Sequence, residues 1–267
     1  MPQHNQIIPR ENLKTQQYLD KIQKWTEDRL MVLNEKKTKN IIFNFSKTKQ
    51  FTTDIKLKNE ALEVVNETRL LGVHITSDLK WNRNTDILIK DANKRMRLLH
   101  KVAKFTDNHQ DLLVIYKIFV RSKLEQSASV WHSSLSQQNI IDLERVQKSA
   151  LKVILKDKYS DYESALLKLN IETLYKRREL LCYRFAKKGL KLSQFKKLFP
   201  VSKSLHVMQK RNQDRFIVNS SKTERYKRSS IPSMQRLLNK YDREFKMVLK
   251  SSVSNELYPR GSLVVKF

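Results

Sequence analysis

Apolar positions in the first third of the chain recur with two different periods. Over 11–33, Leu19, Ile22, Trp25, Leu30 and Leu33 stand at roughly helical spacing, which predicts a helix that Asn34 stops. The pattern then changes. IIFNF (41–45), DIKLKN (54–59), ALEVV (61–65) and RLLGVHI (69–75) are short, β-branched and punctuated by Asn, Thr or Gly. They predict three or four strands of a small antiparallel sheet. Gly72, alone inside the last run, points to a bulge or a close backbone approach.

Beyond Trp81 the period is helical again. In 83–105 an apolar stripe runs through Ile87, Leu88, Ala92, Leu98, Leu99, Val102 and Phe105. Residues 110–130 are nearly apolar enough to form a central core helix. Ser136 is placed to cap a helix through 155, lined by Ile140, Leu143, Val146, Ala150 and Ile154. A short helix fits 161–169, and another fits 173–188 between a Thr173 cap and Gly189. No proline lies between Pro9 and Pro200 to interrupt these elements. Residues 191–232 lose periodicity and gain Lys, Arg and Ser, as an extended or partly ordered basic segment. A last helix, 233–250, carries Met234, Leu237, Leu238, Tyr241, Phe245 and Val248 on one face.

The expected architecture is mainly α. A helix and a small antiparallel β-sheet fill 1–80, a helical bundle fills 81–190, and a basic tail with one amphipathic helix fills 191–267. The links are short and polar, as in compact bundles.

Charge changes this picture more than any motif does. Of 267 residues, 54 are Lys or Arg and 27 are Asp or Glu, a net of +27. Residues 191–267 hold 18 basic and 5 acidic side chains, so +13 of that charge sits in the tail and +14 in the 190 residues before it. Such a surface attracts polyanions, and nucleic acid is the commonest polyanion in cells. Only Gly72, Gly189 and Gly261 are glycines. That excludes a P-loop and a GxGxxG dinucleotide fold, both of which need clustered glycines. The lone Cys182 excludes an internal disulfide and a cysteine-rich zinc site. No apolar run is long enough for a membrane span, and no secretory signal is evident. The expectation is an intracellular protein, nuclear or cytoplasmic, with no membrane partner and no evident small-molecule substrate.

A search for chemistry returns no complete active site. There is no GxSxG, no HExxH and no adjacent aspartate pair among thirteen aspartates. Asp107 with Asp111, and Asp157 with Asp161, are spaced for one helix face, yet each pair falls where caps are expected. No metal site is expected. Cys182, beside Leu180 and Leu181, reads as a buried small hydrophobe. The stretch VLNEKKTKNIIFNF carries Lys36, Lys37 and Lys39 into a strand entrance, where lysines can meet phosphates or simply be solvated.

At this stretch the order of features resembles a known family. KWTEDRLMVLN is followed by KTKNIIFNF and then TRLLGVHITSDLKWNRNTDILIKDANKR. Downstream come IYKIFVRSKLEQSASVWHSSLSQQNIIDLERVQKSALKVIL, YESALLKLNIETLYKRRELLCYRFAKKG, KKLFP and TERYKRSSIPSMQRLLN. This string, over roughly 15–240, resembles the closing part of the palm and the thumb of reverse transcriptases from non-LTR (LINE-type, jockey-like) retrotransposons. The resemblance implies an RNA-directed DNA polymerase whose metal-binding aspartates precede the helix at 11–33. The expectation is therefore a fragment that keeps template–primer-binding surface and lacks those aspartates. Magnesium is expected only in an intact parent polymerase, with no cofactor bound by this chain. Lys37 maps onto the family's motif D lysine, a general acid toward pyrophosphate. Leu70, Leu71, Gly72, Val73, His74 and Ile75 map onto the primer-grip strand. Lys90, Lys94, Arg95 and Arg97 map onto a thumb helix that tracks an RNA/DNA duplex. The alternatives are a non-enzymatic basic helical nucleic-acid-binding protein and a functionless relic of a mobile element.

Overall fold

The structure is a computed structural model that describes residues 10–45, 53–202 and 215–255. It is mostly helical, with two small antiparallel hairpins in the first third. The chain divides into two compact units, 1–87 and 88–267.

In the first unit, α1 spans Arg10–Glu27. It ends earlier than the apolar spacing predicts because Leu30 takes a left-handed φ of 54° and the Met31 amide turns back to the Thr26 carbonyl (2.9 Å). Asn34 does not stop α1. It caps a single 3₁₀ turn, Glu35–Lys37, accepting from the Lys37 amide at 3.0 Å. The run 41–45 is not a strand; Asn40 makes one isolated parallel bridge to Val64. The first hairpin joins β1 (Lys56–Leu57) to β2 (Glu60–Ala61) through Lys58 and Asn59, both at positive φ. Gln16 of α1 clamps it, its amide donating to the Lys56 carbonyl and accepting from the Lys56 amide, each at 2.9 Å. The expected strand 69–75 is instead a hairpin of β3 (Glu67–Leu70) and β4 (Val73–Thr76), with Leu70 paired to Val73. Leu71 (φ 48°) and Gly72 (φ 85°) form the two-residue turn, both in the left-handed region that a twisted hairpin favours. Gly72 is therefore a turn glycine rather than a bulge. The buried apolar side chains here are Ile55, Leu57, Val73 and Trp81, while Ile22 and Trp25 are half exposed.

α2 (Asn82–Val102) crosses from the first unit into the second. Beyond it the predicted helix 110–130 is broken in two places. α3 (His109–Ile115) passes into a π-helical turn, Tyr116–Arg121, and then α4 (Ser122–Glu125). Ser127, at φ 53°, separates α4 from α5 (Ala128–Trp131). α6 (Gln137–Leu155) starts at the predicted cap, Ser136 accepting from the Asn139 amide. α7 (Tyr162–Leu169) is capped by Asp161, whose carboxyl is held down at about 2 by the hydroxyl and amide of Ser164. α8 (Leu174–Gly189) is capped by Thr173. α9 (Ser193–Lys196), α10 (Glu224–Lys227) and α11 (Ser230–Asn255) complete the unit. Part of the segment expected as an extended or partly ordered tail, 203–214, lies outside the described residues, as do residues 256–267. The described parts are docked, Val201 bridging Phe216.

The core of the second unit is large. Leu99, Leu112, Leu113, Tyr116, Leu124, Trp131, Leu143, Leu151 and Ile154 are almost wholly buried. A polar chain threads it. The Tyr116 hydroxyl donates to Gln147 (2.6 Å), whose amide donates to the Tyr162 hydroxyl (2.8 Å) and to the Glu172 carbonyl (3.0 Å). Tyr162 donates to Glu144, whose carboxylate also accepts the Leu174 and Tyr175 amides at the start of α8. A carboxylate at that end complements the orphan amides of the first turn.

Candidate nucleic-acid interface

The geometry of α2 follows from its sequence. Leu88, Ala92, Met96, Leu99 and Ala103 are buried along one side. Lys90, Lys94, Arg97 and Lys101 recur at i, i+4, i+7 and i+11, and all are exposed. At 3.6 residues per turn these four lie within an arc of about 60°, opposite the buried side. With 1.5 Å rise per residue, the stripe is about 16 Å long. Lys101 was not among the sequence-predicted residues, although helical period alone would have added it. Arg95 falls elsewhere, about 140° around the helix from Lys90. Its guanidinium donates to the Phe119 carbonyl at 2.9 Å, anchoring α2 on the π-helical turn. The structure thus separates Arg95 from its predicted companions. Acidic relief along the stripe is slight. Asp91 lies 4.0 Å from Lys94 and is shared with Lys123 at 3.2 Å.

In the first unit, Lys36 and Lys37 are exposed on the 3₁₀ turn, and neither has an ion pair among the described residues. Lys39 is bonded to Glu63, so its charge is partly spent. Glu35 of the same turn is held by Lys58 at 3.2 Å. His74 lies on one face of the second hairpin, its Nδ1 3.1 Å from Glu67. Arg83 donates to the same carboxylate oxygen at 3.0 Å. These two hydrogen bonds, Arg83 first, hold the Glu67 carboxyl below its ordinary range. The His74 amide donates to the buried Asn84 side chain (3.1 Å), which ties β4 to the start of α2. Gly72 sits at the hairpin tip between the exposed Leu71 and the buried Val73.

Of the four carboxylates expected at caps, Asp161 is the one that caps a helix, and Asp157 lies within the 3₁₀ turn Lys156–Lys158. Asp107 pairs with Lys156 (2.5 Å) and Asp111 accepts from the α3 cap Asn108 (2.9 Å). Among the described residues no three His, Cys, Asp or Glu side chains gather as a metal cage. A two-ion phosphoryl-transfer centre needs such a group, so the described residues do not fit one. Cys182 is buried, and burial pushes its thiol up to about 12. No helix among the described residues is long and apolar enough to cross a membrane.

No protein-family model matches the chain, and neither a curated protein nor a solved structure matches it. The resemblance to non-LTR reverse transcriptases is therefore carried by the sequence string itself.

Proposed function

We propose that this chain is the closing palm and thumb of a non-LTR-type reverse transcriptase, and that its own activity is to hold a template–primer duplex. The single observation that carries the reading is the stripe of Lys90, Lys94, Arg97 and Lys101 on the face of α2 opposite the core. Phosphates run along each strand at about 3.4 Å per step, so a rigid stripe of about 16 Å meets several of them at once. The contacts are to backbone, so binding is expected to be largely indifferent to base sequence. Lys36 and Lys37 supply a second cationic point in the first unit, and the Leu71–Gly72 turn supplies a thin backbone edge for a primer strand. No nucleotidyl-transfer step is assigned, because among the described residues no group of carboxylates gathers to hold metal ions. Such a role belongs inside the cell, in nucleus or cytoplasm.

The test is fluorescence anisotropy with an RNA/DNA hybrid of mixed sequence. The triple variant Lys90→Glu, Lys94→Glu, Arg97→Glu is expected to weaken binding by at least about tenfold on every sequence tried. A control reversal at Lys148, on α6, should leave affinity unchanged. Equal weakening by both would reduce the reading to diffuse charge. The non-enzymatic binder is distinguished by primer extension on an RNA template with magnesium once upstream sequence is joined. Incorporation then assigns the chain to a polymerase.

A further inference from the structure

The second unit contains a cleft of 820 Å³ that the duplex-binding reading does not use. Its walls come from the start of the 3₁₀ turn His132–Ser134, from α8, from residues 218–221, from Lys227 and Arg228, and from α11. The sequence explains why it is held open. Gln235 and Asn239, one helical turn apart on α11, are both buried. Asn239 accepts from the Phe216 amide (2.9 Å) and donates to the Phe216 carbonyl (2.8 Å). Gln235 accepts from the Asn219 amide (3.0 Å) and donates to the Leu198 carbonyl (2.8 Å). These amides treat the 216–219 segment as a strand and fix it at the side of the helix. Beneath it, Ala186, Phe199, Phe216, Met234 and Leu238 form a separate apolar cluster.

The lining is strongly cationic. Lys227, Arg228, Arg236, Lys240 and Arg243 face a single acid, Glu179. Arg236, Lys240 and Arg243 repeat at i, i+4 and i+7 on α11, the same device as on α2. Two of the lysines have carboxylate partners, Lys240 with Glu179 (3.1 Å) and Lys227 with Glu224 (3.0 Å). Two of the three arginines, Arg228 and Arg236, donate to neutral acceptors. Arg228 donates to the Leu135 carbonyl, and Arg236 donates to the Lys227 carbonyl and the Ser233 hydroxyl (2.9 Å). Those bonds orient the guanidinium groups without neutralising them. Behind the wall is a further cation. Arg178 is wholly buried, its Nη1 and Nη2 have no hydrogen-bond partner among the described residues, and its Nε donates to His132 Nδ1 at 3.4 Å. That bond fixes the neutral His132 tautomer with its proton on Nε2. The His132 ring rests 4.8 Å from that of Tyr175, and Tyr175 is 42% exposed in the cleft.

Cations, hydroxyls and a partly exposed ring in one concavity match a ligand with phosphate at one end and a flat heterocycle at the other. The volume suits a molecule of that size, and is larger than a bare phosphate would need. We propose that this cleft binds a nucleoside phosphate, as a free nucleotide or as the phosphorylated end of a strand. Arg228 and Arg236 take the phosphate, with Arg243 at the rim, and Tyr175 stacks on the base. The site is distinct from the α2 stripe and does not rest on it.

The experiment is isothermal titration of the whole chain with adenosine diphosphate, with inorganic pyrophosphate and with a 5′-phosphorylated oligothymidylate. The diphosphate nucleoside is expected to bind at least about tenfold tighter than pyrophosphate. The Tyr175→Leu variant should erase that preference. The double variant Arg236→Gln, Arg243→Gln should weaken nucleotide binding about tenfold, with unchanged circular dichroism and unchanged affinity for an RNA/DNA duplex. Tighter binding of the oligonucleotide assigns the site to a strand end, and tighter binding of the nucleotide assigns it to the free ligand. Equal affinity for pyrophosphate and nucleotide, no measurable binding, or full retention in the folded double variant would overturn the proposal. So would a parallel loss of duplex binding, which would merge the cleft with the α2 surface.

Discussion

His132 shows how one buried side chain sets a pH dependence. It is 5% exposed, and burial, with the Arg178 charge beside it, pushes its pKa down to about 3 from the ordinary 6.5. Between those values the unfolded chain takes up a proton that the folded chain refuses. Stability therefore falls as pH drops through 6.5 toward 3, by at most about 1.4 kcal/mol per pH unit. His132→Gln keeps an acceptor for the Arg178 Nε and removes the titration. Its melting temperature should decline less steeply than the parent's between those two pKa values; parallel curves would show that His132 does not carry the acid sensitivity. Leu71 is a second residue whose environment works against it. It is 91% exposed and holds a left-handed φ of 48°, a conformation that asparagine tolerates better. Leu71→Asn loses no packing and should stabilise the chain by about 0.5–1 kcal/mol in urea unfolding. A weaker duplex affinity in the same variant would mean that the leucine is kept for contact rather than for fold.

At the scale of elements, the legible parts are those with an amphipathic period and a side-chain cap. α6 and α8 begin where Ser136 and Thr173 predict, because hydroxyl capping and the apolar stripe mark the same start. The basic side of α2 is readable for the same reason. What sequence pattern does not announce is a left-handed residue that is not glycine. Ser127 breaks the long apolar run between α4 and α5, and Leu30 ends α1 before Leu33. RLLGVHI reads as one strand because its apolar run conceals a turn at Leu71–Gly72, without the Asn-Gly pair that flags such turns. Phe105 continues the periodic stripe of α2 in sequence but lies past Val102 and is 87% exposed. The α11 cleft was legible only in part. The i, i+4, i+7 cations on α11 are visible in sequence, whereas the 216–219 segment is placed by Gln235 and Asn239, and buried amides leave no periodic trace. Lys36, Lys37 and Lys39 stand out in sequence as lysines at an expected strand entrance, whereas the motif D role of Lys37 and the primer-grip roles of Gly72 and His74 come from the resemblance alone. The structure adds that Lys39 and His74 already have acidic neighbours.

For the whole molecule, apolar burial is unequal. The first unit buries Ile55, Leu57, Val73 and Trp81, while the second holds most of the fully buried side chains. Local opening follows the density of buried apolar contact, so limited proteolysis should cut within 41–75 before it cuts within 83–188. Earlier cleavage in 83–188, mapped by mass spectrometry, would contradict that order. The net charge of +27 adds self-repulsion, which salt screens. Salt therefore separates the two consequences of this charge, since it favours the folded chain while it weakens any complex with nucleic acid. The central claim is that Lys90, Lys94, Arg97 and Lys101 neutralise duplex phosphates as one stripe. The most direct measurement is the slope of log Kobs against log salt concentration for an RNA/DNA hybrid. Each neutralised phosphate contributes about −0.9 for B-form DNA. The Lys90→Glu, Lys94→Glu, Arg97→Glu variant is predicted to bind with a slope shallower by roughly 3. Identical slopes for variant and parent would contradict the account.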